Sequence, residues 1–272
     1  MLLSLLSGCS APVTAAPEPA RTPYEVHAAA GLALAPGFEV VVVEPWVVFG
    51  HEPGLTTRAQ GTVAWATGLL KADYFPIMPG EPVDVWLFED APTYEHHVTA
   101  WFDSPPDTPY GFANDRGLFM DISTGGGTLV HEMVHPLMDA NFPGCPPWFN
   151  EGLASLYEAV NEKDGHLNGL LNWRLAGLQE QIRQDNLPSF QVLMAQDSNG
   201  FYNQDTADNY AQSRYLLYWL QEEGRLRPYY QAFTANADAD PTGFDTLKTV
   251  LGRDDMDAFQ GEWEAWALAL SP

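Results

Sequence analysis

The sequence predicts an α+β fold: a small mixed sheet with helices in the first part of the chain, followed by an all-helical C-terminal part. Three observations carry this. Short β-branched and aromatic runs bounded by turn residues are confined to positions 38–122; two apolar helical segments joined by a Pro- and Gly-containing loop follow; and beyond Glu158 apolar residues recur at helical spacing to the C-terminus. With 272 residues and a hydrophobic share of 46%, the chain has material for one compact core or a core plus a helical subdomain.

The chain opens on Met1-Leu2-Leu3-Ser4-Leu5-Leu6-Ser7-Gly8-Cys9, an apolar run too short to span a bilayer. Its L-S-G-C ending resembles the bacterial lipobox, which implies a signal peptide over 1–9, a lipidated Cys9 and attachment to the membrane of the cell envelope after export. Residues 10–23, rich in Ala, Pro and Thr, read as a flexible tether. With Cys9 lipidated, Cys145 is left as a lone structural thiol; a Cys9–Cys145 disulfide is the competing expectation for an oxidising compartment.

Phe38 to Phe49 reads as one or two strands broken at Pro45, Thr56 to Ala72 as a helix, Val83 to Phe88 as a strand and Thr93 to Phe102 as a short helix. The pair His96-His97 lies on that helix without a carboxylate at ligand spacing and is read as surface. Phe112-Ala113 and Leu118 to Ile122 form a hairpin around Asn114-Asp115-Arg116-Gly117. After Glu158 the periodicity predicts helices over Asn172–Arg183, Ser189–Ala195, Ala207–Glu223, Pro228–Asn236, Gly243–Leu251 and Asp255–Leu268. The stripe Tyr215, Leu216, Trp219 and Leu220 reads as core.

Between the hairpin and the helical part stands the pattern that carries chemistry, His131-Glu132-Met133-Val134-His135. On a helix the two histidines project from one face and can share one metal ion, with Glu132 beside them as a general base toward water whose pKa the metal lowers. A catalytic zinc needs a third protein ligand and an open position. Glu151 is the candidate third ligand: it stands in the first turns of a second helix beginning at the Pro146-Pro147 pair, and the loop from Ala140 to Pro147 reverses the chain so that the two helices pack. Pro136, directly after the second histidine, removes a helical hydrogen bond and is expected to bend the helix past the site. Asp139 and Asn150 could accept the second N–H of a ligand histidine, or equally serve as cap or turn residues.

T-L-V-H-E-M-V-H (128–135) and W-F-N-E-G-L-A-S-L-Y (148–157), with N-Y-A-Q-S-R-Y-L-L-Y-W-L (209–220) in support, resemble the gluzincins, the zincin metallopeptidases that include the thermolysin-like and aminopeptidase-N-like enzymes, and in particular their bacterial peptidase MA-like members. The resemblance implies one zinc ion held by His131, His135 and Glu151, with Glu132 as base. It also implies a zincin-like catalytic core over 24–165, and a helical subdomain over 166–272 that completes the cleft. A third histidine of metzincin type would fall at position 141, which is Asn141. An oxyanion donor downstream of the third ligand is also implied; Tyr210 fits best, with Tyr215, Tyr157 and His166 as lesser candidates. The family binds the substrate backbone along a sheet edge, for which 117–122 or 110–114 are the candidates, a plain structural hairpin being the alternative.

The implied function is hydrolysis of peptide bonds in a peptide or protein substrate. The rivals are a catalytically silent zincin-fold binding lipoprotein and an envelope protein whose H-E-x-x-H is accidental; in the last case His131, His135 and Glu151 should not converge. Twelve basic against 36 acidic residues, net −24, speak against nucleic acid as a partner and against anionic membrane faces.

Overall fold

A computed structural model of the chain describes residues 21–271, apart from 53 and 107. Cys9, the lipobox-like run and most of the expected tether lie outside the described residues. The elements, in order, are α1 (Pro23–Leu34), β1 (Glu39–Val43), β2 (Trp46–Gly50), α2 (Leu55–Asp73), β3 (Val83–Phe88), α3 (Ala91–Phe102), β4 (Gly111–Asn114), β5 (Gly117–Asp121), α4 (Gly126–Asn141), α5 (Pro147–Leu156), β6 (Val160–Lys163), β7 (His166–Gly169), α6 (Arg174–Arg183), α7 (Phe190–Met194), α8 (Ser198–Asn203), α9 (Thr206–Glu222), α10 (Leu226–Asn236), α11 (Phe244–Leu251) and α12 (Met256–Ala269). The fold is α+β, with a mixed sheet and a helical C-terminal part.

The sheet has the order β1-β2-β3-β5-β4; β2, β3 and β5 run parallel, and the outer pairs β1–β2 and β4–β5 are antiparallel hairpins. The β1–β2 turn falls at Glu44-Pro45, as the proline predicts. Because side chains alternate across a strand, Trp46, Val48, Val85, Leu87, Leu118 and Met120 face one layer while Val47, Phe49, Trp86, Phe88 and Phe119 face the other. The three parallel strands are therefore covered on both sides, which accounts for their unbroken apolar runs.

On the first side, α2 buries Leu55, Ala59, Val63, Ala66 and Leu70, a helical stripe, and packs beside α4. On the second side lie α1 and α3. Helix α1 was not anticipated: it begins at Pro23, the last residue of the expected tether. Thr22 and Glu25 close a capping box, the Thr22 hydroxyl accepting from the Glu25 N–H at 3.2 Å and the Glu25 carboxylate from the Thr22 N–H at 2.7 Å. The T-P-Y-E signature was present in the sequence, but Ala28 is the helix's one fully buried residue, so it lacks the apolar stripe that reveals a helix.

A second correction concerns the segment after Glu158. The chain does not turn helical there; β6 and β7 form a two-stranded hairpin, and the expected boundary at 165/166 falls in its Asp164-Gly165 turn. Both residues of that turn have positive φ, the requirement of a tight hairpin turn. One hydrophobic core runs from Trp46 on the sheet through α4 and α5 to Trp263 and Ala267 on α12. Within it Tyr215, Leu216 and Leu220 are fully buried and Trp219 packs against them, the core role read from the sequence.

The join between α5 and α9 rests on Arg214. Its buried guanidinium donates to the carbonyls of Ser155 (2.9 Å) and Leu156 (3.4 Å), at the C-terminal end of α5, and to that of Leu170. A cation there satisfies carbonyls that helix geometry leaves without intrahelical partners. Burial pulls the guanidinium downward from its usual range.

Candidate metal centre

Helix α4 starts from Gly125-Gly126-Gly127. A Cβ on Gly127 would lie 1.8 Å from the Glu158 carbonyl oxygen, so only glycine lets the first turn of α4 touch the chain leaving α5. This approach, together with the reversal at 142–146, sets α4 and α5 side by side with their ligand faces together. Pro136 does not end α4, which continues to Asn141. What Pro136 removes is the N–H that would bond the carbonyl of Glu132, four residues back, and its ring lines the cleft.

His131, His135 and Glu151 converge as the spacing predicts, each offering a donor atom within 4.8 Å of the others. The Glu151 Oε2 lies 3.5 Å from His131 Nε2 and 3.9 Å from His135 Nε2. Two ligands of one tetrahedral zinc, each about 2.0–2.2 Å from it, stand roughly 3.4 Å apart, so the trio is at metal-binding separation. The convergence is the opposite of what an accidental H-E-x-x-H leads one to expect. That Glu151 Oε2 is buried yet has no hydrogen-bond partner is the sharper test of fit. An orphaned carboxylate oxygen facing two imidazole nitrogens is costly unless a cation sits between them. Two imidazoles and one carboxylate are a donor set that suits Zn2+.

Each ligand is held from behind. Asn150 Oδ1 lies 3.0 Å from His135 Nδ1; donation of that N–H to the amide leaves the Nε2 lone pair facing Glu151. Of the two residues named for this role, Asn150 fills it, while Asp139 is exposed at the cleft rim. Glu158 Oε1 lies 3.5 Å from His131 Nδ1, and Glu158 is in turn gripped by the Arg174 Nε (2.9 Å) and Nη2 (2.6 Å) and by the Asn172 amide (2.8 Å). The Tyr202 hydroxyl donates to Glu151 Oε1 at 2.8 Å, which leaves Oε2 as the oxygen turned to the histidines.

Charge follows this geometry. Burial would push the Glu151 carboxyl up, but the nearby His135 and His131 imidazoles and the hydrogen bond from Tyr202 hold it at about 2. Glu158 is likewise penalised by burial and brought to about 2 by Arg174 and His131. Burial would lower His131, yet its carboxylate neighbours Glu151, Glu158 and Glu132 raise it to about 10 in the ion-free protein. The carboxylates of Glu151 and Glu158 thus set a negative charge around the imidazoles, a setting that favours a cation. Glu132 is buried, with Oε2 4.0 Å from His135 Nε2, and its carboxyl is pushed up, first by burial and then by Glu151 and Glu158. A carboxylate moved toward neutral pH is better matched to taking and returning a proton.

These groups line a cleft of about 500 Å³ whose opposite wall is the β4–β5 hairpin, through Gly111 to Asn114, Gly117 and Leu118. Of the two candidate edges, β5 is interior, between β3 and β4, and β4 is the free edge. Tyr210 also lines the cleft; the Arg174 guanidinium lies over its ring, 5.0 Å from the centroid, and burial followed by the Glu151 charge pushes the phenol upward.

Tyr202 was missed. It stands on α8, in a stretch read as loop because it is rich in Asp, Asn, Gly and Gln; the one signal was Asp197, whose side chain caps the helix by accepting from the Gly200 N–H at 2.8 Å. Glu158 was missed as a partner because its role depends on Arg174, across the unanticipated hairpin. The lesser candidates lie elsewhere: Tyr157 bonds Tyr74 in the core, Tyr215 bonds the Asn172 backbone, and His166 Nδ1 sits 2.5 Å from the buried Asp73. Cys145 is the one cysteine among the described residues, and burial pushes its thiol pKa up.

No family model matches the chain, and no curated protein matches it. Among the described residues no helix is long and apolar enough to cross a membrane.

Proposed function

We propose that the chain is a zinc-dependent peptidase of gluzincin type, hydrolysing peptide bonds in a peptide or protein substrate. The observation that carries the reading is the orphaned, buried Glu151 Oε2 aimed at His131 Nε2 and His135 Nε2, with the Glu132 carboxylate beside them in an open cleft. Bound zinc would supply Lewis acidity, polarising a carbonyl and lowering the pKa of water. The chain's own groups would do the rest. Glu132 takes a proton from the attacking water and returns it to the leaving amine. Tyr210, in the cleft, is placed to donate its hydroxyl to the developing oxyanion. Tyr202 and Glu158 would orient the ligands Glu151 and His131. The free edge of β4 can pair with an extended substrate backbone, which favours a peptide over a compact small molecule.

Export and lipid attachment through Cys9 belong to the same proposal and rest on the L-S-G-C run alone. The test is elemental analysis of the purified protein together with cleavage of a peptide library, comparing the wild type with Glu132→Gln. Zinc at the centre and cleavage lost on substitution support the reading. A wild type without zinc refutes it, and zinc without cleavage leaves the silent binding lipoprotein.

A further inference from the structure

A second group of metal-ligating side chains lies away from the cleft. We propose that His51, Glu52 and Glu89 form a second divalent-cation site, of zinc-like preference, that ties together the C-terminal ends of β2 and β3.

The ladder places these residues. Gly50 of β2 stands opposite Leu87 of β3, and the His51 N–H donates to the Leu87 carbonyl at 3.2 Å, so the next steps of the two parallel strands bring Glu52 alongside Glu89. One donor atom from each of His51, Glu52 and Glu89 lies within 4.8 Å of the others. His51 Nδ1 is 3.9 Å from Glu52 Oε1, and that nitrogen is buried with no hydrogen-bond partner. The imidazole is held in place by rings, edge-on to Phe38 at 5.2 Å and beside His97 at 4.9 Å. His97, read from the sequence as surface, is in fact half-buried against Phe38, Phe88 and Trp101, whereas His96 is exposed.

The charges need a partner. A carboxylate oxygen of Glu52 and one of Glu89 lie within 4.8 Å of each other, and like charges that close repel. Among the described residues no lysine or arginine makes a salt bridge to either carboxylate; the ion pair at this end is His51 with Glu52. Asp90, next to Glu89, is already committed, capping α3 by accepting from the Thr93 N–H at 2.9 Å. An imidazole nitrogen and two carboxylate oxygens suit a zinc-class ion, with the remaining positions open to water.

This site is separate from the cleft. Val83, at the start of β3, lines the cleft, and Glu89 lies just past the other end of the strand, roughly 20 Å away at about 3.3 Å per residue. An ion at this end therefore takes no part in cleft chemistry. It would fasten the loop entering α2 to the start of α3.

The test uses the whole chain, stripped of metal and titrated with Zn2+, with bound metal counted by elemental analysis and stability followed by thermal unfolding. The wild type is expected to bind two ions, and His51→Ala and Glu89→Gln one each. A variant lacking both His131 and His135 is expected to keep the ion at the strand ends, and its Tm should still rise with zinc until Glu89→Gln is added. If His51→Ala fails to fold, Glu52→Gln paired with Glu89→Gln replaces it, since both carboxylates reach solvent. A second ion that survives these substitutions, or a wild type whose sole ion is unaffected by them, overturns the proposal. A sole ion lost with His51→Ala but kept without His131 and His135 upholds this site and removes the cleft reading.

Discussion

The two histidine–carboxylate clusters of this molecule, His131/His135/Glu151 and His51/Glu52/Glu89, use similar donors and differ in what stands behind them. In the cleft every ligand has its remaining polar atom engaged or faced: His135 by Asn150, His131 by Glu158, and Glu151 by Tyr202. At the strand ends the imidazole is held by apolar ring contacts, and Glu52 and Glu89 reach solvent. The hydrogen bonds behind His135 and Glu151 fix their orientation and lower the reorganisation needed to bind an ion, so on the proposed reading the cleft should hold zinc more tightly than the strand ends.

Several measurements can break or sharpen that contrast. The largest effect is expected from Glu132→Gln, which should lower kcat by about 10²–10⁴-fold while zinc content stays at the wild-type level; loss of the metal as well would mean that Glu132 is a ligand and not a base. Next comes His131→Ala, which should abolish cleft binding, read as one ion fewer per chain, because two ligands remain where zinc needs three from the protein. Tyr202→Phe should weaken zinc binding in the cleft by about 10–100-fold, seen by competition with a chelator, with binding at the strand ends unchanged. An unchanged cleft affinity would show that the bond to Glu151 does not organise the ligand. Gly127→Ala should destabilise the fold by about 1–3 kcal/mol in urea unfolding, since a methyl cannot occupy the space held by the Glu158 carbonyl. The smallest effect is expected for Asp139→Asn: exposed at the rim, it should change zinc affinity by less than about twofold, in contrast to Asn150→Ala.

What could be read from the sequence follows the range of the interactions. His131, Glu132 and His135 are one helical turn apart, and Glu151 is one loop further on, so local periodicity sufficed to bring them together. The strands from Trp46 to Phe49 and Val83 to Phe88 declared themselves through apolar runs, because both of their faces are covered. Tyr202 and Arg174 carry no such local signal. They reach the site because α9 packs on α5, a contact fixed by Arg214 and the core, and a six-residue helix such as α8 is too short to show a period. The β6–β7 hairpin was hidden for a related reason: Val160-Asn161-Glu162-Lys163 presents mostly exposed side chains and no apolar alternation. The cluster at His51 was invisible because its carboxylates come from two strands related only by the parallel ladder.

Arg214 also bears on which wall of the cleft is held fast. Swinging the helical wall away from α5 would strip a buried guanidinium of its carbonyl partners, and stranding a charge in this way costs about 3–5 kcal/mol. The opposite wall carries no such penalty, since β4 is laced to the sheet along one side only. The edge strand β4, hydrogen-bonded only to β5, is therefore the wall with fewer ties, and amide exchange should be faster along 111–114 than along α9.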